Sequence, residues 1–215
     1  MHGKSVILIG CGAQAKYAID IFAQTNRSVS QVFDTIGRKA GQRVGDFTIE
    51  SFNMSEFLMN QSSIKEKHSI SLCVSNNKLK SDLYRKLEKS SDFVSAIHPE
   101  CTIAATAKLG FCVIVNARAV IQPYAKIGNA CMIHAGVVIE HDCIIGDFVN
   151  IAPGVNIAGQ VSVGEGATIY TGAIVAPNIK IGRYAVIGAG SLVLNDIPDH
   201  ALIYGSPAKI IRKEA

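Results

Sequence analysis

From Ile103 to Val193 an aliphatic residue returns at every sixth position: Ile103, Leu109, Val115, Ile121, Ile127, Ile133, Ile139, Ile145, Ile151, Ile157, Val163, Ile169, Val175, Ile181, Ile187 and Val193. An amphipathic helix repeats its apolar face about every 3.6 residues and a half-buried strand every second residue, so neither produces a period of six. Three short strands per coil do. Each coil is then triangular, and each aliphatic residue points inward onto its counterpart in the next coil, which is a parallel β-helix of hexapeptide repeats.

Four positions after each aliphatic residue stands a small or β-branched one, as at Ala107, Ala119, Ala125, Cys131, Val137, Cys143, Val149, Ala167, Ala173, Ala185 and Ser191. These form a second inward track. Glycine recurs at Gly110, Gly128, Gly146, Gly164 and Gly182, always eighteen apart. One corner of the prism is therefore expected to need glycine's backbone freedom. Cys131 and Cys143 fall on the inward track, which favours packing. His141 falls on neither track, sits two places after Ile139, and is expected to face outward in the stretch VVIEHDCIIGD. His134, just after Ile133, is expected to be structural or peripheral.

The first hundred residues follow a different pattern. SVILIG is a buried strand, GCGAQA a glycine-rich turn, and KYAIDIFAQ a helix with Ala18, Ile19, Ile21 and Phe22 on one face. VSQVFD is a second strand ending at Asp34. A strand in HSISLCVSN, the helix KLKSDLYRKLEKS with Leu79, Leu83 and Leu87, and a last strand in DFVSAIHP complete a small Rossmann-like βαβ domain. The expected division is a ligand-binding domain over 1–98, a β-helix over 99–198 and a tail over 199–215. Gly10-Cys11-Gly12-Ala13-Gln14-Ala15 fits G-x-G-x-x-A between strand and helix, where a backbone can approach an anion. A tight turn without ligand is the plain alternative. Asp34, at the end of the second strand, stands where an acid can accept from a ribose. The βαβ part is short and leads into a β-helix instead of a second dinucleotide half, so a nucleotide sugar is a better expectation than a nicotinamide.

Composition limits the function classes. The chain has 215 residues, is 48% hydrophobic and carries a net charge of +4, with KIIRK as its only basic cluster. Scattered charge gives no argument for nucleic acid. The apolar run after MHGK is too short for a signal segment or a membrane span, so a cytoplasmic protein is expected. Six cysteines without a C-x-x-C pair or zinc spacing are expected to be reduced and mostly buried, with no metal site.

VILIGCGAQAK, the SNN at Ser75 to Asn77, IEHDCIIGDF and YGSPAK together resemble the hexapeptide-repeat sugar acetyltransferases. In that class a small nucleotide-sugar-binding domain precedes a left-handed β-helix. Its members include N-acetyltransferases of the bacillosamine, perosamine and viosamine pathways and the sialic acid O-acetyltransferases. The resemblance implies the left hand, which crossover rules alone would not favour. It also implies a homotrimer with active sites between subunits, acetyl-CoA as cosubstrate and a nucleotide-linked amino sugar as partner. His141 then matches a general base and Asp142 the acid that orients it, where the family motif has glutamate. Whether the shorter Asp142 reaches the imidazole directly is open.

By the same resemblance Gly10, Gly12, Ala13 and Gln14 surround the nucleotide phosphates, Asp34 and Thr35 lie near base and ribose, and Ser75 and Asn76 line the pocket. Asn150 replaces a histidine that contacts acetyl-CoA. Thr171 and Ala189 meet the cofactor through their backbone, and Gly205, Pro207 and Lys209 belong to a terminal cofactor-binding segment. The implied reaction is direct attack of a sugar C4 amine on the thioester, with imidazole as base. O-acetylation of a sialic acid and a non-enzymatic nucleotide-binding trimer stay open as alternatives.

Overall fold

In the first of two units, β1 (Ser5–Ile9) is buried over its last four residues because it is paired on both edges. The computed structural model describes residues 4–213, and the units divide between Pro99 and Glu100. After β1 come α1 (Ala13–Gln24), β2 (Val29–Asp34), β3 (Arg43–Val44), β4 (Phe47–Ser51), α2 (Met54–Met59), α3 (Gln61–Lys67), β5 (His68–Leu72) and α4 (Asn77–Leu87). The sheet order is β3-β4-β2-β1-β5, parallel except for the β3–β4 hairpin. The chain leaves β1 toward β2 on one side and returns to β5 on the other. A crevice therefore opens at the C-terminal ends of β1 and β5, where ligands bind in such sheets. The expected strand in DFVSAIHP is mostly absent: Phe93 makes a single bridge to Ile70, and only Ala96–Ile97 is a strand.

The second unit is a left-handed parallel β-helix. One sheet runs from Thr102–Ile103 to Leu192–Val193, a second from Lys108–Leu109 to Lys180–Ile181, and a third through Ile114–Val115 to Val186–Ile187. Each strand pairs with the strand one coil on, as Ile121 with Ile139, Ile127 with Ile145 and Ile133 with Ile151. Both inward tracks form one continuous core. The third sheet ends in Ala201–Gly205, parallel to its neighbour, and the antiparallel strand Ala208–Lys213. The expected tail extends to Glu214 and Ala215, which lie outside the described residues.

The corner backbone corrects one expectation. Left-handed φ recurs every six residues from Cys112 through Arg118, Tyr124, Ala130, Gly136, Asp142, Phe148, Gly154, Gln160, Gly166, Gly172, Asn178 and Tyr184 to Gly190. The column Gly110, Gly128, Gly146, Gly164 and Gly182 is not part of it. Those glycines are required by close approach: a Cβ on Gly164 would lie 2.6 Å from the Arg183 nitrogen, and one on Gly128 would lie 2.6 Å from that of Asp147. Backbone of the next coil cannot withdraw as a side chain can. Gly164→Ala should therefore cost about 1–3 kcal/mol of stability, typical of overpacking, read as a lowered midpoint in calorimetric melting. An unchanged midpoint would mean that the coils can separate freely.

Candidate active site

Two constellations stand out, one in each unit. In the first unit, the ends of β1, β2 and β5 surround a cavity of about 250 Å³ lined by Gly10, Cys11, Gly12, Asp34, Thr35, Ile36, Arg38, Lys39, Cys73, Val74, Ser75, Asn76 and Leu79. Gly10 has φ +111°, and a Cβ there would fall onto the carbonyl oxygen of Cys73, so the turn needs glycine on both grounds. A Cβ on Gly12 would meet nothing within 4 Å, leaving open room beside the cavity. Asn76 caps α4 by accepting from the Leu79 N–H at 2.9 Å.

Of the residues expected here, Gly10, Gly12, Asp34, Thr35, Ser75 and Asn76 share the cavity. Ala13 and Gln14 are not among its lining, and Gln14 is buried. Asp34 is only 6% exposed and turns back on its own loop, Oδ1 accepting from the Ile36 N–H at 3.1 Å and Oδ2 from the Lys39 N–H at 2.8 Å. Burial opposes its ionisation. The N–H groups of Lys39 and Ile36, with the Cys11 thiol and the Arg38 N–H, outweigh that and hold the carboxyl below its ordinary value. Burial, and after it the same Asp34 carboxylate, push the Cys11 thiol up.

In the second unit, His141 occupies the corner between strands Val138–Ile139 and Ile144–Ile145. Its side chain is half exposed, and Nδ1 lies 2.9 Å from Asp142 Oδ2. The contact is direct. A carboxylate only accepts, so the proton of the neutral ring belongs on Nδ1 and the Nε2 lone pair is free to take another. Asp142 holds its place through the left-handed corner, with φ 59°, and through its N–H, which donates to the Pro123 carbonyl at 3.1 Å. The His141 carbonyl accepts from the Gln160 N–H at 3.0 Å. One coil on, a Cβ on Gly159 would stand 2.7 Å from Nε2 and 2.8 Å from Cε1. The ring thus rests against the bare backbone of Gly159, a residue that the sequence reading missed although it stands one coil beyond His141.

The other predicted positions are spread out. Thr171 and Ala189 are exposed, stacked on the corner that joins the third sheet to the first, whereas His141 lies on the corner between the first and second. Asn150 is on the third sheet, in register with Met132 and Thr168. Gly205, Pro207 and Lys209 belong to the terminal hairpin. His134 is buried. Cys143 is buried with its pKa raised by that burial, and its thiol donates to the Ala158 carbonyl at 3.1 Å, a packing role. Among the described residues no three or more His, Cys, Asp or Glu side chains are grouped as a metal would need, and no helix is long and apolar enough to cross a membrane.

The bacterial transferase hexapeptide family (six repeats) matches residues 124–159 and 160–195. No curated protein sequence matches the chain. Among solved structures, perosamine N-acetyltransferase from Caulobacter crescentus, in a histidine-to-asparagine variant with CoA and GDP-perosamine, is 31% identical, with a TM-score of 0.87 over 96% of each chain. The acetyltransferase domain of PglB from Neisseria gonorrhoeae, in complex with acetyl coenzyme A, is 26% identical, with a TM-score of 0.87 over 97% of this chain and 100% of that one. WeeI from Acinetobacter baumannii, 21% identical with a TM-score of 0.85 over 97% and 100%, shares the fold.

Proposed function

Because this chain belongs to the hexapeptide-repeat sugar acetyltransferases, we propose that it moves the acetyl group of acetyl-CoA onto the C4 amine of a nucleotide-linked 4-amino-4,6-dideoxy sugar. The setting would be cytoplasmic synthesis of a surface-glycan precursor. The observation that carries the mechanism is the Nδ1 contact of His141 with Asp142, which leaves Nε2 of a half-exposed ring as an acceptor. Support for the substrate class comes from the Caulobacter relative, solved with GDP-perosamine and CoA, and from the cavity at the glycine turn.

Acetyl-CoA supplies the acyl group as a thioester. The amine lone pair attacks its carbonyl carbon, and the nitrogen becomes acidic as the C–N bond forms. His141 Nε2 takes that proton while Asp142 stabilises the imidazolium. Collapse then expels the CoA thiolate. The exposed Thr171, Ala189 and Lys209 suit contacts with an extended cosubstrate. Since one chain holds His141 and Thr171 on different corners, a site using both would draw them from two copies, in keeping with a homotrimer. Exposed Ile144, Ile174 and Leu194 suit such packing. Light scattering should then give three times 22.9 kDa, and a monomeric mass would remove the shared site.

The test of function is thiol release from acetyl-CoA with a panel of GDP-, UDP- and dTDP-linked 4-amino sugars. Turnover of none of them would overturn the reading. Asp142→Asn keeps the size and tolerates the left-handed corner, but its amide can donate to Nδ1 and place the proton on Nε2. The expected result is a fall in kcat of about 10–100-fold, the usual cost of removing a supporting group, with KM little changed. A wild-type kcat would show that the carboxylate is not needed to orient the ring.

A further inference from the structure

We propose that Arg38 and Lys39 are the residues that hold the diphosphate of the nucleotide-linked substrate, and that Asp34 is the positioning residue that sets their loop instead of a ribose ligand. This rests on the reading of the first-unit cavity as the nucleotide site. Thr35, Ile36, Arg38 and Lys39 all line that cavity, beside Gly10 and Gly12. Asp34 is the only carboxylate in the lining.

The carboxylate of Asp34 has about four acceptor positions, and the N–H groups of Ile36 and Lys39 occupy one on each oxygen. The Cys11 thiol and the Arg38 N–H also act on it. A ribose hydroxyl would have to displace or share these donors. Placing an ionised carboxylate at 6% exposure is costly unless it is paired, and here the pairing fixes the backbone of one five-residue loop. That loop presents two cations. Neither Arg38 nor Lys39 forms an ion pair among the described residues, and both are exposed.

A solvated surface pair would not need a buried acid pinning its main chain. A diphosphate accounts for all the parts. The guanidinium can bind two phosphate oxygens at once and the ammonium a third, while the open space at Gly12 admits the phosphates to the turn. Ile36, Val74 and Leu79 supply apolar wall for a flat base.

The experiment is equilibrium binding of GDP, UDP and dTDP, and of the corresponding nucleosides, to the full-length protein and its variants. Losing one charge-assisted contact should weaken the preferred diphosphate about tenfold in Arg38→Gln or Lys39→Gln, and on the order of 100-fold in the double variant. Nucleoside affinity should not change, KM for the sugar substrate should rise, and kcat should stay. Lys39→Arg should restore most of the binding. Asp34→Asn, checked for an unchanged melting profile, should lose diphosphate affinity and keep nucleoside affinity. A double variant that binds diphosphate like the wild type overturns the assignment of Arg38 and Lys39 alone. Parallel loss of nucleoside binding in Asp34→Asn returns that residue to the ribose. A wild-type protein that binds no diphosphate sinks the nucleotide site and this assignment with it.

Discussion

Replacing His141 with alanine should lower kcat for acetyl transfer by about 10²- to 10⁴-fold, the range by which a well-placed base accelerates a reaction. The loss is bounded because water can still take the proton and the scaffold still orients the two substrates. KM for both should stay within about threefold, since in the proposed mechanism the ring takes a proton that becomes acidic only as the bond forms. Stability should hardly change: the side chain is half exposed on a corner, and its hydrogen-bond partner is the neighbouring Asp142. Thiol-release kinetics with the best amino sugar give the answer directly. A kcat within about threefold of the wild type would remove His141 from the mechanism.

Gly159→Ala should cost about 10²-fold in kcat without unfolding anything. A methyl group 2.7 Å from Nε2 is well inside ordinary contact, which begins near 3.4 Å, so the ring must give by the difference. Its other side is tethered to Asp142 at 2.9 Å, and the φ of 59° at Asp142 fixes that carboxylate. The imidazole must therefore break its tether or swing outward. Misplacing a reacting group by roughly 1 Å is enough for a loss of this size. Melting should stay at the wild-type midpoint because the displaced atoms end an exposed side chain, the opposite of the clash expected at Gly164. A full kcat in this variant would mean that Nε2 works from another ring position.

The β-helix was legible because its period is enforced by stacking: every inward residue meets its equivalent one coil away, so the pattern cannot drift. The same regularity misled on the glycines. A recurring glycine has two physical causes, left-handed backbone and close approach, and spacing alone does not separate them. At Gly164 the second cause operates, while at Asp142 and Phe148 the first is met without glycine. In the first unit β1, α1, β2, β5 and α4 were readable from apolar runs. The hairpin Arg43–Ser51 and helices α2 and α3 were not, since each is too short to show a period. His141 and Asp142 stood out as a motif. Arg38 and Lys39 did not, because a basic pair in a loop reads as solvated surface until the carboxylate beneath it is located. Gly159 needed only the coil length counted forward from His141.

The left-handed corner at Asp142 is built like its equivalents at Pro123-Tyr124, Gly159-Gln160 and Pro177-Asn178. Acquiring a reactive group there asks nothing new of the backbone, only two side chains and a glycine one storey along. Such a scaffold can lose an activity at one level and regain it at another through a few point changes, its architecture intact. Transplanting the His-Asp pair, with glycine in the facing position, onto a neighbouring corner is a direct way to measure how far that freedom extends.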